Sequence, residues 1–399
     1  MQRGKNRLVR ASIAGQKEVA VKRFFASRWG PIVAGAIIGI LAALLVYWGN
    51  PKNMGVCVAC FERDIAGALG LHRNALTQYL RPEIVGFVLG STIAALLFRE
   101  FRPRAGSAPI ARFLLGAFAM IGALVFLGCP WRALLRLAGG DLNALLALAG
   151  LATGVGIGVL LMRGGYALGR ASPQPAVIGW LMPGLMVGLL LLAIFHPVFG
   201  EGLPIFASTK GPGAAHAALV VSLVVGLVVG FLGQRSRFCT MGALRDLFLM
   251  GETHLLGGVI ALLVTAFLTN LVLTWTTGTP YVRVSFLDQP VAHSNHFWNF
   301  AGMALAGLAF ALAGGCPGRQ LFLSGEGDGD AAVFVLGMIV GAGFAHNFAL
   351  AGVPDQRLEN GLLRVGGPTI YGQIAVAIGL AFCLILGLTA RLRATEGKP

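Results

Sequence analysis

"FLGCPWR" occupies residues 126–132, and "AGGCPGR" occupies residues 313–319. Each closes a long apolar run with Gly-Cys-Pro-x-Arg. Arginine is costly to bury in hydrocarbon and proline breaks a helix, so neither belongs in a regular span. A doubled break of this kind points to two equivalent interruptions of an otherwise regular bundle.

The surrounding composition says which kind of bundle. Of 399 residues, 56% are hydrophobic and 12% charged, which leaves too little polar surface for a soluble globular protein. Apolar runs of about 17–25 residues, long enough to cross a bilayer, recur at 31–49, 82–98, 109–128, 143–162, 177–195, 215–233, 254–277, 298–315, 331–352 and 370–390. The expected fold class is therefore an all-α polytopic membrane protein of about ten spans.

The net charge of +15 is placed as membrane proteins place it. Eight basic residues (Arg3, Lys5, Arg7, Arg10, Lys17, Lys22, Arg23, Arg28) precede the first span. Others sit in short connections: Arg99, Arg102, Arg104 and Arg112, then Arg163 and Arg170, then Arg391 and Arg393. This is the bias that holds basic loops in the cytoplasm. Residues 1–30 read as a basic cytoplasmic segment without a signal-peptide cleavage site, and 391–399 as a cytoplasmic tail. The basic residues suit anionic lipid, and no nucleic-acid partner is expected.

A second motif extends the repeat. Residues 57–64 read CVACFERD and residues 239–246 read CTMGALRD, both Cys-x5-Arg-Asp after a span. Cys57 precedes Cys129 by 72 positions, and Cys239 precedes Cys316 by 77. Two membrane repeats follow, 31–196 and 215–390, each with five spans. An odd number of spans forces the second repeat to enter the membrane inverted, as in many transporters. The polar segments behind the cysteines are too short to span and read as re-entrant half-helices, tolerated only where protein or a wet cavity surrounds them. Pro130 and Pro317 suit the first position of such helices. Cys129 and Cys316 then face the centre at helix N-termini, where unpaired N–H groups favour anions and thiolates.

These matched positions make Cys57, Cys129, Cys239 and Cys316 the candidates for a substrate pathway. Cys60 forms C-x-x-C with Cys57, but Gly242 stands at its place in the second repeat. It either adds a redox step or is incidental. Arg63 with Asp64, and Arg245 with Asp246, are either functional intramembrane charges or ion pairs that fix the half-helices. Arg132 and Arg319 either attract an anion or anchor those helices. Cys383, inside an apolar run, reads as packing. GEGDGD (325–330) suits a helix N-terminus, and His346 with Asn347 suits an interhelical hydrogen bond. His196, His216, His293 and His296 lack ligand spacing. No zinc, nucleotide or haem motif is present, so neither a metal nor another cofactor is expected, and the chain reads as no enzyme. The competing class is a membrane thiol oxidoreductase that uses Cys57 and Cys60 with a quinone. A nonselective pore ranks third.

At GGCPGRQLFLSGEGDGDAAVFVLGMIVGAGFAHNF (314–348) the chain resembles the YeeE/YedE family, which carries a sulfur-transport domain, and most of all its YedE branch, linked with selenium transport. The resemblance runs from the first span onward. It implies an inner-membrane permease whose two pseudo-symmetric halves form an hourglass, with cysteines along the path passing thiosulfate by S–H···S contacts. On this chain the matching positions are Cys57, Cys129 and Cys316, with Cys239 the symmetry mate of Cys57. It also implies a cytosolic sulfur carrier of the TusA type as partner. The expected activity is import of a sulfur- or selenium-containing anion.

Overall fold

A computed structural model describes residues 21–200 and 202–391. Arg3, Lys5, Arg7, Arg10, Lys17 and Arg393, and with them most of the two terminal segments, lie outside the described residues.

Fourteen helices carry the architecture, seven in each half of the chain. The first seven are α1 (Trp29–Tyr47), α2 (Val58–Ala68), α3 (Pro82–Leu97), α4 (Pro109–Phe126), α5 (Pro130–Ala138), α6 (Asn143–Arg163) and α7 (Ala176–Phe195). The second seven are α8 (Leu219–Ser236), α9 (Thr240–Met250), α10 (His254–Thr277), α11 (His296–Ala313), α12 (Pro317–Gly325), α13 (Gly329–Asn347) and α14 (Ile370–Thr389). A single helical turn, Gly211–Ala214, lies in the connection between halves. Outside these helices, two short ribbons pair Arg104–Ala105 with Ser172–Pro173 and Gln356–Arg357 with Leu363–Arg364.

Among the described residues, nine helical segments are long and apolar enough to cross a bilayer. The tenth expected span, α3, has 16 residues, about 24 Å at the α-helical rise against a hydrocarbon core of about 30 Å. Its N-terminal turn is polar: Glu83 is buried and accepts from Asn50 Nδ2 at 2.8 Å and Ser222 Oγ at 2.9 Å.

The halves are interlocked. α6 packs on α11, and their counterparts α13 and α4 pack on each other. α3 packs on α8 while α10 packs on α1, and α4 meets α11 at the centre. Small residues let these backbones touch, as helix association in lipid favours. A Cβ on Gly35 would fall 1.9 Å from the Gly258 carbonyl in the α1–α10 contact, and one on Gly86 would fall 2.7 Å from Gly226 in the α3–α8 contact. The outermost helices α7 and α14 follow the pattern less closely: α7 lies on α3, and α14 on α11.

Direction follows from the end contacts. The Ala217 N–H, just before α8, donates to Asn50 Oδ1 just after α1, at 2.9 Å. Phe25, before α1, shares a recess with Arg237, after α8. α1 and its counterpart α8 therefore run antiparallel. Likewise His293, before α11, bonds the Val125 carbonyl near the end of α4 at 2.7 Å, and Arg112 near the start of α4 bonds the Ala313 carbonyl at the end of α11 at 3.1 Å. The second half is inverted with respect to the first, as the odd span count requires.

GEGDGD has the structural role its position suggests. Asp328 caps α13 through the Ala331 N–H at 3.1 Å and holds Arg104 Nε at 2.8 Å, while Asp330 accepts the Gly106 N–H at 2.8 Å and the Ser107 hydroxyl. Its first-half counterpart is Asp141-Leu-Asn143. There Asp141 accepts from Arg136 Nε at 2.6 Å and from the Asn143 N–H at 3.0 Å.

Candidate functional site

Four short helices of nine or eleven residues form the centre, and each begins immediately after a cysteine. Pro130 and Pro317 occupy the first helical position behind Cys129 and Cys316. At Cys57 and Cys239 the sulfur itself is the cap, accepting the Cys60 N–H at 3.4 Å and the Gly242 N–H at 3.1 Å. Thus two of the four cysteines have their sulfurs committed to first-turn N–H groups, and Cys129 and Cys316 make no such cap.

The four cysteines meet in two pairs. At one end, where α1 and α4 terminate, Cys57 Sγ lies 3.8 Å from Cys129 Sγ. At the other, where α8 and α11 terminate, Cys239 Sγ accepts the Cys316 N–H at 3.4 Å. Each pair joins a Cys-x5-Arg-Asp segment to a Cys-Pro-x-Arg segment of the same half. All six cysteines are reduced and buried. Cys60 sits beside the first pair, donating to the Leu127 carbonyl at 3.6 Å and approached by Arg132 Nη1 at 3.7 Å. Cys383 is packed in the core on α14.

An aromatic cluster that the motif comparison did not reveal joins the two ends. Trp131, two residues beyond Cys129, stands 5.7 Å ring to ring from Phe238, which precedes Cys239. Phe87 and Phe322 complete the cluster at 5.9 Å and 6.1 Å from Trp131. The indole lies over Gly318, two residues beyond Cys316, where an added Cβ would stand 2.7 Å from the ring. The repeat is broken here in sequence, CPW against CPG. The mismatch is the signal that marks the position, because one large and one absent side chain fill one space.

The charged motif residues divide unequally. Asp64 is wholly buried and holds two guanidinium groups, Arg63 Nη2 at 2.7 Å and Arg81 Nη2 at 2.7 Å. Arg81 further donates to the Pro212 carbonyl at 2.7 Å and the Ala215 carbonyl at 3.1 Å, which ties α2 to the connection between halves. Arg81 belongs to no repeated motif, so sequence comparison of the halves misses it. Arg132 donates to the carbonyls of Leu127, Val291 at 3.0 Å and Pro290 at 3.4 Å, while its Nε has no partner among the described residues. It is an anchor. Glu62 is buried with neither carboxylate oxygen bonded among the described residues. His346 bonds Asn74 at 3.1 Å and Asn347 bonds the Leu71 carbonyl at 2.9 Å, so both tie α13 to the loop between α2 and α3, where an interhelical bond was expected.

Their second-half counterparts face open space. Arg245, Asp246 and Arg319 line a recess of about 830 Å³ that reaches Cys239, together with Arg104, Arg235 and Arg237. Glu326 and Glu100 answer part of this charge, at 3.3 Å from Arg319 and 2.7 Å from Arg235. Phe238 of the aromatic cluster directly precedes Cys239, which lines the recess. A smaller recess of about 150 Å³ at the opposite end, lined by Lys52, Asn53, Arg283 and Asp288, includes none of the cysteines. Among the described residues no group of three or more His, Cys, Asp or Glu could hold a metal ion.

A polytopic helical bundle with inverted halves, whose buried centre carries thiol pairs at interrupted helices, is the architecture of a membrane transporter. The sequence model for sulphur transport matches residues 2–157 and 235–398, and the chain belongs to that family. The two matched stretches embrace all four motif cysteines. No curated protein matches the chain.

Proposed function

We propose that the protein is a permease of the bacterial inner membrane that imports a sulfur- or selenium-containing anion, thiosulfate-like in size and charge, past Cys57, Cys129, Cys316 and Cys239. The family points to sulfur transport rather than to an enzyme. The observation that carries the reading further is the pair of thiol clusters at the interrupted helices of both halves, 3.8 Å between sulfurs at one end and 3.4 Å from nitrogen to sulfur at the other. A soft, polarisable anion can exchange water for S–H and N–H donors there. A ring of lysines would hold it too tightly to let it pass.

In this reading the recess that admits Cys239 opens to the cytoplasm, since Lys22 and Phe25 of the basic N-terminal segment border it. Its guanidinium groups would concentrate anions or receive an acidic face of a cytosolic carrier of the TusA type. Supporting roles fall to Arg63, Asp64, Arg132, Arg245, Asp246, Arg319, Cys60 and the two prolines, which hold or charge the pathway. The oxidoreductase alternative uses Cys57 and Cys60, which also interact; the permease reading is favoured because Cys57 Sγ in addition lies 3.8 Å from Cys129 Sγ, in the motif repeated in both halves.

The test is parallel uptake of radiolabelled thiosulfate and selenite into proteoliposomes by wild type and Cys316→Ala. Saturable uptake of one anion, lost in the variant, is the expected result and identifies the chalcogen. Folded protein that moves neither anion overturns the permease reading.

A further inference from the structure

The thiol pairs do not touch each other; Trp131 stands between them. Its backbone leaves the Cys57–Cys129 end directly behind Pro130, and its ring ends against Phe238 and Gly318, which flank Cys239 and Cys316. Trp131, Phe87, Phe238 and Phe322 are all buried, and together they close the axis with aromatic surface. Such a constriction excludes water and hydrated ions by dewetting. It would exclude a desolvated anion as well, since aromatic faces carry negative potential.

One atom in the cluster has the opposite character. The indole Nε1 of Trp131 is buried and has no hydrogen-bond partner among the described residues, although a buried tryptophan N–H ordinarily finds one. The other three rings are phenylalanines and have no donor to offer. The indole also has a place prepared for it, because Gly318 offers no Cβ where its counterpart in the first half is Trp131 itself.

We propose that Trp131 is the gate of the pathway, its ring the barrier and its indole N–H the donor that takes the anion from one thiol pair to the other. This inference rests on the permease reading for its second half only. As a barrier the ring blocks any small anion, whatever the transported species. As a donor it lets through the anion that can leave a thiol, accept one N–H bond, and reach the next thiol.

Two variants separate the roles, each measured in proteoliposomes beside wild type. Trp131→Phe keeps aromatic bulk and removes the donor; thiosulfate uptake is expected to fall about tenfold or more, the scale of a hydrogen bond to a charged group, with no new leak of chloride. Trp131→Ala removes the ring; a chloride leak, read with an entrapped chloride-sensitive dye, is expected above the wild-type background. If the alanine variant fails to fold, Trp131→Leu takes its place with the same expectation. Wild-type uptake by the phenylalanine variant overturns the donor role, and a folded alanine or leucine variant as tight to chloride as wild type overturns the barrier. Should wild type move no thiosulfate, the permease reading falls, while the chloride measurement still decides whether Trp131 seals the axis.

Discussion

Cys57 and Cys129 lie 72 positions apart in the chain and 3.8 Å apart at their sulfurs. The contact joins the N-terminal ends of α2 and α5, so both interruptions of the first half point at one spot. Sulfurs this near need only a small approach to reach the disulfide length of about 2.05 Å. Treatment of the purified protein with diamide is expected to link the peptide carrying Cys57 to the peptide carrying Cys129, as read by non-reducing digestion and mass spectrometry. Cys129→Ser should abolish that product. A dominant Cys57–Cys60 link in wild type would count against the pairing and favour redox chemistry at C-x-x-C.

The Arg-Asp motifs match in sequence and differ in burial, and that difference sets their mutational cost. Asp64 is fully buried between Arg63 and Arg81, whereas the side chains of Arg245 and Asp246 are 33% and 17% exposed. Asp64→Ala leaves two buried guanidinium groups without their carboxylate, a loss of about 3–5 kcal/mol by the measure of broken buried ion pairs. Asp246→Ala opens a pair that water can reach, worth about 1 kcal/mol or less. Thermal melting in detergent should therefore show a large loss for the first variant and a small one for the second. Equal losses would mean that the recess is closed in solution.

Much of this arrangement was legible before any coordinates. Ten apolar runs fall on ten helices, within two residues at all but three ends and within five at the worst, because hydrocarbon demands long uncharged segments and admits few substitutes. The repeated Cys-Pro-Arg and Cys-Arg-Asp motifs located the half-helices and, through the odd span count, the inversion. What escaped was whatever the two halves do not share. Arg81 precedes Pro82 outside any motif, yet it is the second cation on Asp64. Trp131 and Gly318 occupy equivalent positions with unlike side chains, so a search for sameness passes over a contact that joins the two ends. The second neighbour of Cys57 was equally hidden, since spacing brings Cys60 forward and only packing brings Cys129 as well.

Arg132 and Arg319 are equivalent in the motif and should separate by assay. Arg132 bonds three backbone carbonyls, so Arg132→Gln is expected to lower the yield of folded protein, checked by size-exclusion chromatography. Arg319 faces the recess and pairs with Glu326 at 3.3 Å. Arg319→Gln should fold normally and weaken uptake of the proposed anion a few-fold at low ionic strength, with the difference fading as salt screens the recess. A salt-independent defect would place Arg319 in contact with the anion rather than in the field that gathers it.

His293 makes stability depend on pH. It lies in the connection before α11, where its Nε2–H donates to the Val125 carbonyl at 2.7 Å and its other ring nitrogen has no partner. Burial, aided by the charge of Arg136, lowers its pKa from 6.5 to about 4. The unfolded chain therefore binds this proton more readily than the folded one between those two values. The associated stability is present above about pH 6.5 and is lost progressively as pH falls toward 4, on the order of 3 kcal/mol over the whole interval. His293→Gln keeps an N–H donor for Val125 and removes the titration. Its melting temperature should fall less steeply than that of wild type between pH 6.5 and 4.5; parallel profiles would assign the acid sensitivity to another group.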